Sequence, residues 1–142
     1  MKKRSYLNDI NVFPVADGDT GNNLLQTLRT IVVESKMEDS FSNTLESISN
    51  SALIGARGNS GVIFAQFVNG LQKSNGTKDS VSMEEFTKLV EYSFEHTYSS
   101  LSNPVEGTMI TIMRDFSIAL KKSLSTVKTI KDFFQSAYNR IK

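Results

Sequence analysis

Apolar residues recur at helical spacing along nearly the whole chain. Spacings of three and four residues place them on one face of a helix, whereas a half-buried strand would need strict alternation. The stripes are Leu24, Leu28, Ile31 and Val32; Leu45, Ile48 and Ala52; Ile63, Phe67, Val68 and Leu71; Phe86, Leu89, Val90, Phe94 and Leu101; Met109, Ile112, Met113, Phe116 and Leu120; and Ile130, Phe133, Phe134, Ala137 and Ile141. No alternating pattern exceeds about four residues. The sequence therefore predicts an all-α fold, with these Phe and Met side chains in its core.

The composition limits the classes of protein to which the chain can belong. Its 142 residues are enough for one domain with a buried core, and we expect a single domain over residues 1–142. Its net charge is +1, with acids and bases interspersed, which predicts no nucleic-acid partner. The absence of cysteine fits a reducing compartment, and we expect a cytoplasmic protein. The longest apolar stretch, residues 62–68, is too short to span a membrane.

Two segments carry the signature of a helix start. Ser82 followed three residues later by Glu85 forms a capping box, and Asn43 with Glu46 is a weaker version. The single histidine, His96, falls late in a helical stripe, and we interpret it as a solvated or hydrogen-bonded residue and not as a catalytic one.

The run from Asn11 to Asn23 has the composition of a cation site beside a helix start. It holds Asp17 and Asp19, two glycines and several asparagines, and the first apolar stripe follows directly. Carboxylate oxygens suit Mg²⁺ or Ca²⁺. Glycine allows the backbone to approach an anion closely, and the free N–H groups of a helix start favour phosphate. The alternative is a surface turn with an N-cap, in which these residue types are also common.

Two familiar metal and phosphate motifs do not fit this run. An EF-hand loop that begins at Asp17 would need an acid or Asn, a Gly and a Glu where Gly21, Asn22 and Leu28 stand. A P-loop needs Gly-Lys followed by Ser or Thr, and the chain has no such tripeptide.

Two further loops repeat the pattern before apolar stripes. The first spans residues 55–61 and places Asn59 and Ser60 among three glycines, which is a composition suited to anionic oxygens. A tight connection between helices would also use glycine. The second spans residues 103–109, from Asn103 to Met109. Three such loops can converge at one end of a helical bundle, where metal and phosphate together would indicate a nucleotide.

These three segments resemble, in the same order, the motifs of the DhaL-type kinase family. The segments are Leu-Asn-Asp-Ile-Asn-Val-Phe-Pro-Val-Ala-Asp-Gly-Asp-Thr-Gly at residues 7–21, Gly-Ala-Arg-Gly-Asn-Ser-Gly at 55–61 and Glu-Gly-Thr-Met at 106–109. The family includes the nucleotide-binding subunit of dihydroxyacetone kinase and the N-terminal domain of the bacterial fatty acid kinase A subunit. The first two segments are more similar to the fatty acid kinase branch.

The resemblance implies a specific fold and site. It implies an antiparallel helical bundle or barrel that holds ATP or ADP at one rim, with Mg²⁺, as two ions, between carboxylates and phosphates. The metal ligands would be Asp17, Asp19 and Asn11. The nucleotide would contact Thr20, Gly21, Asn22, Asn23, Gly58, Asn59, Ser60, Gly61, Gly107, Thr108 and Met109. Arg57 is a further candidate for a phosphate contact.

The chain departs from the family pattern in its loop and in its length. Ala16 replaces the usual Pro, and Asn22 replaces the usual Thr. The family has a helix before the Asp loop and another after the last segment found here. We therefore expect a bundle that is incomplete, as in a trimmed chain, a fragment or a degenerate gene product, and that is inactive without its partner and those segments.

Three functions remain open from the sequence. The first is a kinase domain that phosphorylates a fatty acid presented by an acyl-binding partner of the fatty acid kinase B type. The second is a dihydroxyacetone kinase-type subunit, and the third is a non-catalytic nucleotide-binding regulatory module. The sequence assigns no general base, and no oligomeric state follows from it.

Overall fold

Seven helices make up the fold in the computed structural model, which describes residues 2–12 and 16–141. They are α1 (Lys2–Asp9), α2 (Thr20–Glu34), α3 (Phe41–Gly55), α4 (Gly58–Asn75), α5 (Met83–Ser100), α6 (Met109–Ser123) and α7 (Ile130–Arg140). No strand is present in these ranges. The predicted all-α class is confirmed.

Helix α4 is the centre of the bundle. Each helix packs on the next one along the chain, and α4 also contacts α2 and α6. Short connections make such neighbours antiparallel. Helices α1 and α6 both contribute residues to a cavity at one end of the bundle. Helices α2 and α6 contact α4, and α1 contacts α2. Each helix of the cavity wall is therefore held by α4, either directly or through one neighbouring helix.

The main core lies between α4, α5, α6 and α7. Its buried members include Phe67 of α4, Val90 of α5, Leu120 of α6 and Phe133 of α7. A smaller cluster of Ala52, Ala65 and Val68 joins α3 to α4. The periodicity therefore predicted most of the core-facing residues of α3 to α7. Ile112, Ile130 and Phe134 of those stripes are exposed, so the prediction that Phe134 lies in the core was wrong.

The predicted apolar stripe of α2 was wrong in part. Leu28 is 39% exposed and Val32 is 80% exposed, whereas the buried residues of α2 are Gly21 and Thr27. Where α2 approaches α1 and α4 most closely, it packs through small and polar groups, because no larger apolar side chain fits there. Ile31 of the predicted stripe packs against the smaller core cluster. The spacing of apolar residues indicates which face of a helix could be buried, but it does not indicate how closely a neighbouring helix approaches.

The capping prediction was right for α5 and wrong for α3. At α5, the Ser82 hydroxyl accepts from the backbone N–H of Glu85 at 3.2 Å, and the Glu85 carboxylate accepts from the Ser82 N–H at 2.9 Å. Helix α3 begins at Phe41, where Ser40 is the N-cap and accepts from the N–H of Asn43 at 3.1 Å. A serine three residues upstream of Asn43 takes the capping role there.

His96 lies on α5 and is not among the residues that line the cavity. It is half-buried and stacks on Tyr92, with 6.2 Å between ring centroids. Across residues 2–12 and 16–141, none of the helices combines the length and the apolar character needed to cross a bilayer.

Glu85 predicts a pH-dependent contribution to stability. The hydrogen bond from Lys78, followed by those from Ser82, lowers the pKa of its carboxyl from 4.5 to about 2. The folded pKa lies below the unfolded one, so the contribution is complete above pH 4.5 and is lost as the pH falls towards about 2. Glu85→Gln should therefore melt below wild type near neutral pH, and the difference should shrink in acid.

Thermal unfolding of both proteins across this pH range measures the effect. Glu95→Gln, an exposed change on the same helix, is the control and should track wild type. A constant difference between Glu85→Gln and wild type at every pH would contradict the assignment.

Gly70 predicts a second, pH-independent effect at the contact between α4 and α5. A Cβ atom at Gly70 would lie 2.8 Å from the Ser93 hydroxyl and 3.0 Å from the Ser93 Cα. The Gly70→Ala change should overpack this contact and lower the free energy of unfolding by about 1–3 kcal/mol. Urea denaturation measures it, with exposed Lys73→Ala on the same helix as the control. Equal stabilities for the two variants would contradict the packing argument.

Candidate functional site

A cavity of about 640 Å³ at one end of the bundle brings the three sequence loops together. This volume is typical of a small-molecule site. Eleven of the fourteen predicted site residues line it: Asn11, Asp17, Asp19, Thr20, Asn23, Gly58, Asn59, Ser60, Gly107, Thr108 and Met109. The loops that begin α2, α4 and α6 thus converge as the sequence indicated.

The other three predicted residues, Gly21, Asn22 and Gly61, are not among those lining the cavity. A Cβ at Gly21 would lie 2.2 Å from the carbonyl oxygen of Arg4, and one at Gly61 would lie 2.4 Å from the Thr27 hydroxyl. These glycines let helices pack closely. The Asn22 side chain is exposed on the first turn of α2. The geometry therefore gives Gly21 and Gly61 a packing role and places none of the three residues on the cavity wall.

The start of α2 is capped by two asparagine side chains from the segment before it. The Asn11 amide oxygen accepts from the N–H groups of Asp19 and Thr20, both at 3.2 Å, and from the Thr20 hydroxyl at 2.8 Å. The Asn8 amide oxygen accepts from the N–H of Gly21 at 2.8 Å and of Asn22 at 3.2 Å. The N–H groups expected to bind phosphate here are therefore engaged within the chain.

Sequence reasoning missed Asn8. It lies in α1, thirteen residues before Gly21, and local capping rules look only one to three residues upstream. The only sequence signal was the presence of an asparagine in the segment before α2. Asparagine is common in such segments, so this signal is weak. The long reach of this cap reflects the close crossing of α1 over α2 at Gly21.

Asp17 and Asp19 form an acidic pair at the cavity. Asp17 is exposed, Asp19 is half-buried, and the Asp17 carboxylate accepts from the Asp19 N–H at 3.4 Å. Gly18 between them has a φ of 66°, the left-handed conformation that favours glycine. Among the described residues that line the cavity, none is Lys, Arg or His. The pair therefore gives the cavity an unbalanced negative charge.

The start of α4 differs from that of α2 because no side chain caps it. Its N-cap residue, Arg57, provides no side-chain cap, and Gly58 has a φ of 59°. The N–H groups of Gly58, Asn59 and Ser60 receive no acceptor from the part of the chain that the structure describes. The first N–H groups of a helix have no intrahelical partner, so they remain available to an anion.

The side chain of Arg57 is turned away from the cavity. Its guanidinium donates to the carbonyl oxygens of Ala56 at 2.8 Å and Ile54 at 3.3 Å, at the end of α3. A cation satisfies the unpaired carbonyls of a helix end well. In this arrangement Arg57 stabilises α3 and does not line the cavity, so the phosphate contact considered from the sequence has no geometric support.

The third loop is held by a network around Glu106. The Glu106 carboxylate accepts from Arg114 at 2.6 Å and from the Thr111 hydroxyl at 2.7 Å, and that hydroxyl accepts from the Gly107 N–H at 2.8 Å. Thr108 caps α6: its hydroxyl accepts from the N–H of Ile110 and donates to a loop carbonyl. The network fixes the loop that contributes Gly107, Thr108 and Met109 to the cavity.

The acidic pair fits a divalent cation that is shared with a ligand. Two carboxylates are present, but the described residues contain no group of three or more His, Cys, Asp or Glu side chains placed to hold a metal. The Asn11 oxygen, predicted as a third ligand, already accepts three hydrogen bonds. Mg²⁺ is commonly held by one or two carboxylates, with substrate phosphates and water completing the shell. The donor set suits that mode and not a site made of protein ligands alone.

Comparison with known proteins identifies the family. The family model described as the DAK2 domain matches residues 14–142, so the chain belongs to the DAK2 domain family, which is the DhaL type. This family binds nucleotides in dihydroxyacetone kinase-type systems, and its members work with partner subunits. The predicted family is confirmed.

Relatives come from several bacteria. The chain is 36% identical over 139 residues to an uncharacterized protein of Mycoplasma pneumoniae, the MG369 homolog, covering 92% of this chain and 25% of the relative. It is 38% identical over 122 residues to protein YloV of Bacillus subtilis, covering 84% and 22%. A Staphylococcus aureus protein is 31% identical over 128 residues, covering 88% and 23%. The chain spans about a quarter of the length of these relatives.

Asn8 predicts a stabilising effect that acts across two helices. Asn8→Ala removes the oxygen that accepts from two N–H groups of α2, and loss of a helix cap costs about 0.5–2 kcal/mol. Chemical denaturation should show a loss of stability in this range. Asn50→Ala, an exposed change on α3, is the control and should unfold like wild type. If both variants match wild type, the long-range cap contributes nothing to stability.

Proposed function

We propose that this chain binds Mg-ATP in the cavity and is the nucleotide-binding domain of a kinase whose acceptor is held by a partner protein. One observation carries the proposal. Two carboxylates and the uncapped start of α4 open onto the same cavity, which no described basic side chain lines.

Electrostatics explains why this combination suits a metal–nucleotide complex. ATP carries about four negative charges near neutral pH, and a cavity with two carboxylates would repel it. Asp17 and Asp19 would hold Mg²⁺, whose positive charge would offset that repulsion. The N–H groups of Gly58, Asn59 and Ser60 would bind phosphate oxygens on the opposite side. When bound, the metal supplies the charge neutralisation that phosphoryl transfer requires.

The remaining cavity wall suits the base and sugar. Met109 and Ile110 of α6, with Leu101 and Pro104 before it, contribute apolar surface beside Thr108. An adenine ring would lie against these side chains. The Glu106 network holds their loop in place, and its charged members, Glu106 and Arg114, do not line the cavity.

The acceptor is proposed from resemblance to the fatty acid kinase branch. We propose a fatty acid, presented by an acyl-binding partner of the fatty acid kinase B type in the cytoplasm, where ATP is available. Dihydroxyacetone on a partner subunit is the second candidate, supported by the dihydroxyacetone kinase-type family itself. No catalytic residue is assigned, because the two acids are proposed to bind the metal and no other described lining residue is a typical general base.

Nucleotide binding should require magnesium and both acids. Titration calorimetry with ATP and Mg²⁺ should show binding that EDTA abolishes. Asp17→Asn and Asp19→Asn should each weaken it by at least tenfold, because each removes a negative charge from the metal shell while it keeps the side-chain shape. Asp39→Asn, an exposed change between α2 and α3, is the control.

Equal ATP affinity with and without EDTA would remove the metal from the mechanism. Binding by neither wild type nor Asp39→Asn, with folding confirmed by circular dichroism, would overturn the proposed nucleotide site. Wild-type affinity in Asp17→Asn and Asp19→Asn would show that the phosphate binds elsewhere.

The chain alone should not phosphorylate a free acceptor. Correct positioning of two reactants can contribute roughly 7–11 kcal/mol to the barrier reduction, and here the partner would supply it. An assay with labelled ATP and free fatty acid, or free dihydroxyacetone, should show no turnover above the rate without protein. Robust turnover in either assay would place an acceptor site and a base within these 142 residues.

A further inference from the structure

Thr27 connects the first two loops of the cavity through one hydroxyl. Its side chain is 0% exposed in the middle of α2. The hydroxyl donates to the carbonyl oxygen of Asn23 at 2.9 Å and accepts from the backbone N–H of Arg57 at 3.2 Å. Gly61 in the first turn of α4 lies against the same oxygen, so that an added Cβ would be 2.4 Å away.

This contact fixes the start of α4 against α2. Arg57 is the N-cap residue of α4 and has no side-chain cap to offer, so Thr27 anchors the backbone at this point. One turn earlier on α2, the Asn23 side chain lies directly against Gly58, where a Cβ would come within 2.2 Å of its amide nitrogen. The helix that begins beside Asp19 therefore holds the backbone that leads into Gly58, Asn59 and Ser60.

We propose that Thr27 is a positioning residue, whose hydroxyl sets the distance between the acidic pair and the N–H groups at the start of α4. This proposal rests on the proposed function, because that distance matters when a metal–phosphate group bridges the two sides. Thr27 does not line the cavity, so it acts through Arg57 and touches neither metal nor nucleotide.

The hydroxyl can be separated from the shape of the side chain. Valine has nearly the same volume as threonine, so Thr27→Val fills the site and removes the acceptor for the Arg57 N–H. Serine keeps the hydroxyl and loses a methyl group. If Thr27 only fills space, Thr27→Ser should lose more Mg-ADP affinity than Thr27→Val. If its hydroxyl positions the start of α4, Thr27→Val should lose more.

Thr87 on α5 provides a matched control. It is also buried, and its hydroxyl donates to the carbonyl oxygen four residues earlier, Met83, at 2.9 Å. It accepts no loop N–H in the described part of the chain. Thr87→Val therefore removes the same kind of intrahelical bond without a link between loops.

The first measurement is Mg-ADP affinity by calorimetry, well below every melting temperature. Thr27→Val should bind about tenfold more weakly than wild type, the scale expected when a partly buried donor loses its acceptor. Thr27→Ser and Thr87→Val should stay within about twofold. Wild-type affinity in Thr27→Val, or an equal loss in Thr87→Val, would overturn the proposal.

The second measurement needs no nucleotide. Amide hydrogen exchange of the unliganded proteins should be faster in Thr27→Val at Arg57, whose N–H loses its acceptor, and at Gly61, whose N–H bonds to the Arg57 carbonyl oxygen. Thr27→Ser and Thr87→Val should exchange at wild-type rates at both positions. Unchanged exchange in Thr27→Val would overturn the positioning role. If wild type binds no Mg-ADP, the proposed function fails, and this exchange comparison alone decides whether Thr27 fixes the loop.

Discussion

The close approach of α2 to its neighbours is the constraint on which the cavity depends. Glycines meet α2 side chains at three places: Gly55 against Thr30, Gly61 against Thr27, and Gly58 against Asn23. Any side chain there would push α3 or α4 outward, and the backbone N–H groups at the start of α4 would move with it. Interiors are packed densely enough that such a displacement is not absorbed locally. The three glycines that contact α2 thus determine the position of the cavity-lining residues at the start of α4.

The sequence was sufficient for the class of fold, the family and the convergence of three loops, and each succeeded for a physical reason. Helical periodicity in α3 to α7 reflects a real core around Phe67 and Phe133, and Ser82 with Glu85 is a local cap whose partners are three residues apart. Such patterns involve residues of one helix only, so they can be read from the sequence without knowledge of the tertiary structure. They predicted which loops face the cavity because each loop begins a helix in the same antiparallel bundle.

What the sequence did not predict depends on contacts between distant segments. Asn8 caps a helix that begins twelve residues after it, and the Thr27 hydroxyl accepts from an N–H thirty residues away. Neither contact has a periodic or local signal in the sequence. Gly21 and Gly61 were also not predicted correctly. They lie in motifs that resemble phosphate-binding loops, but they pack against neighbouring helices. In a glycine-rich loop, some glycines contact a ligand and others contact a neighbouring helix, and only the fold distinguishes them.

The two asparagine caps also have a dynamic consequence. Helix α1 has eight residues, and an isolated helix of that length is not stable in water. It persists because it docks on α2, and Asn8 and the adjoining Asn11 bond to four consecutive N–H groups there. Detachment of α1 would therefore expose the first turn of α2 and release the aspartate loop in the same event. We therefore expect this end of the bundle to open as one local unit, at a lower free energy than the core.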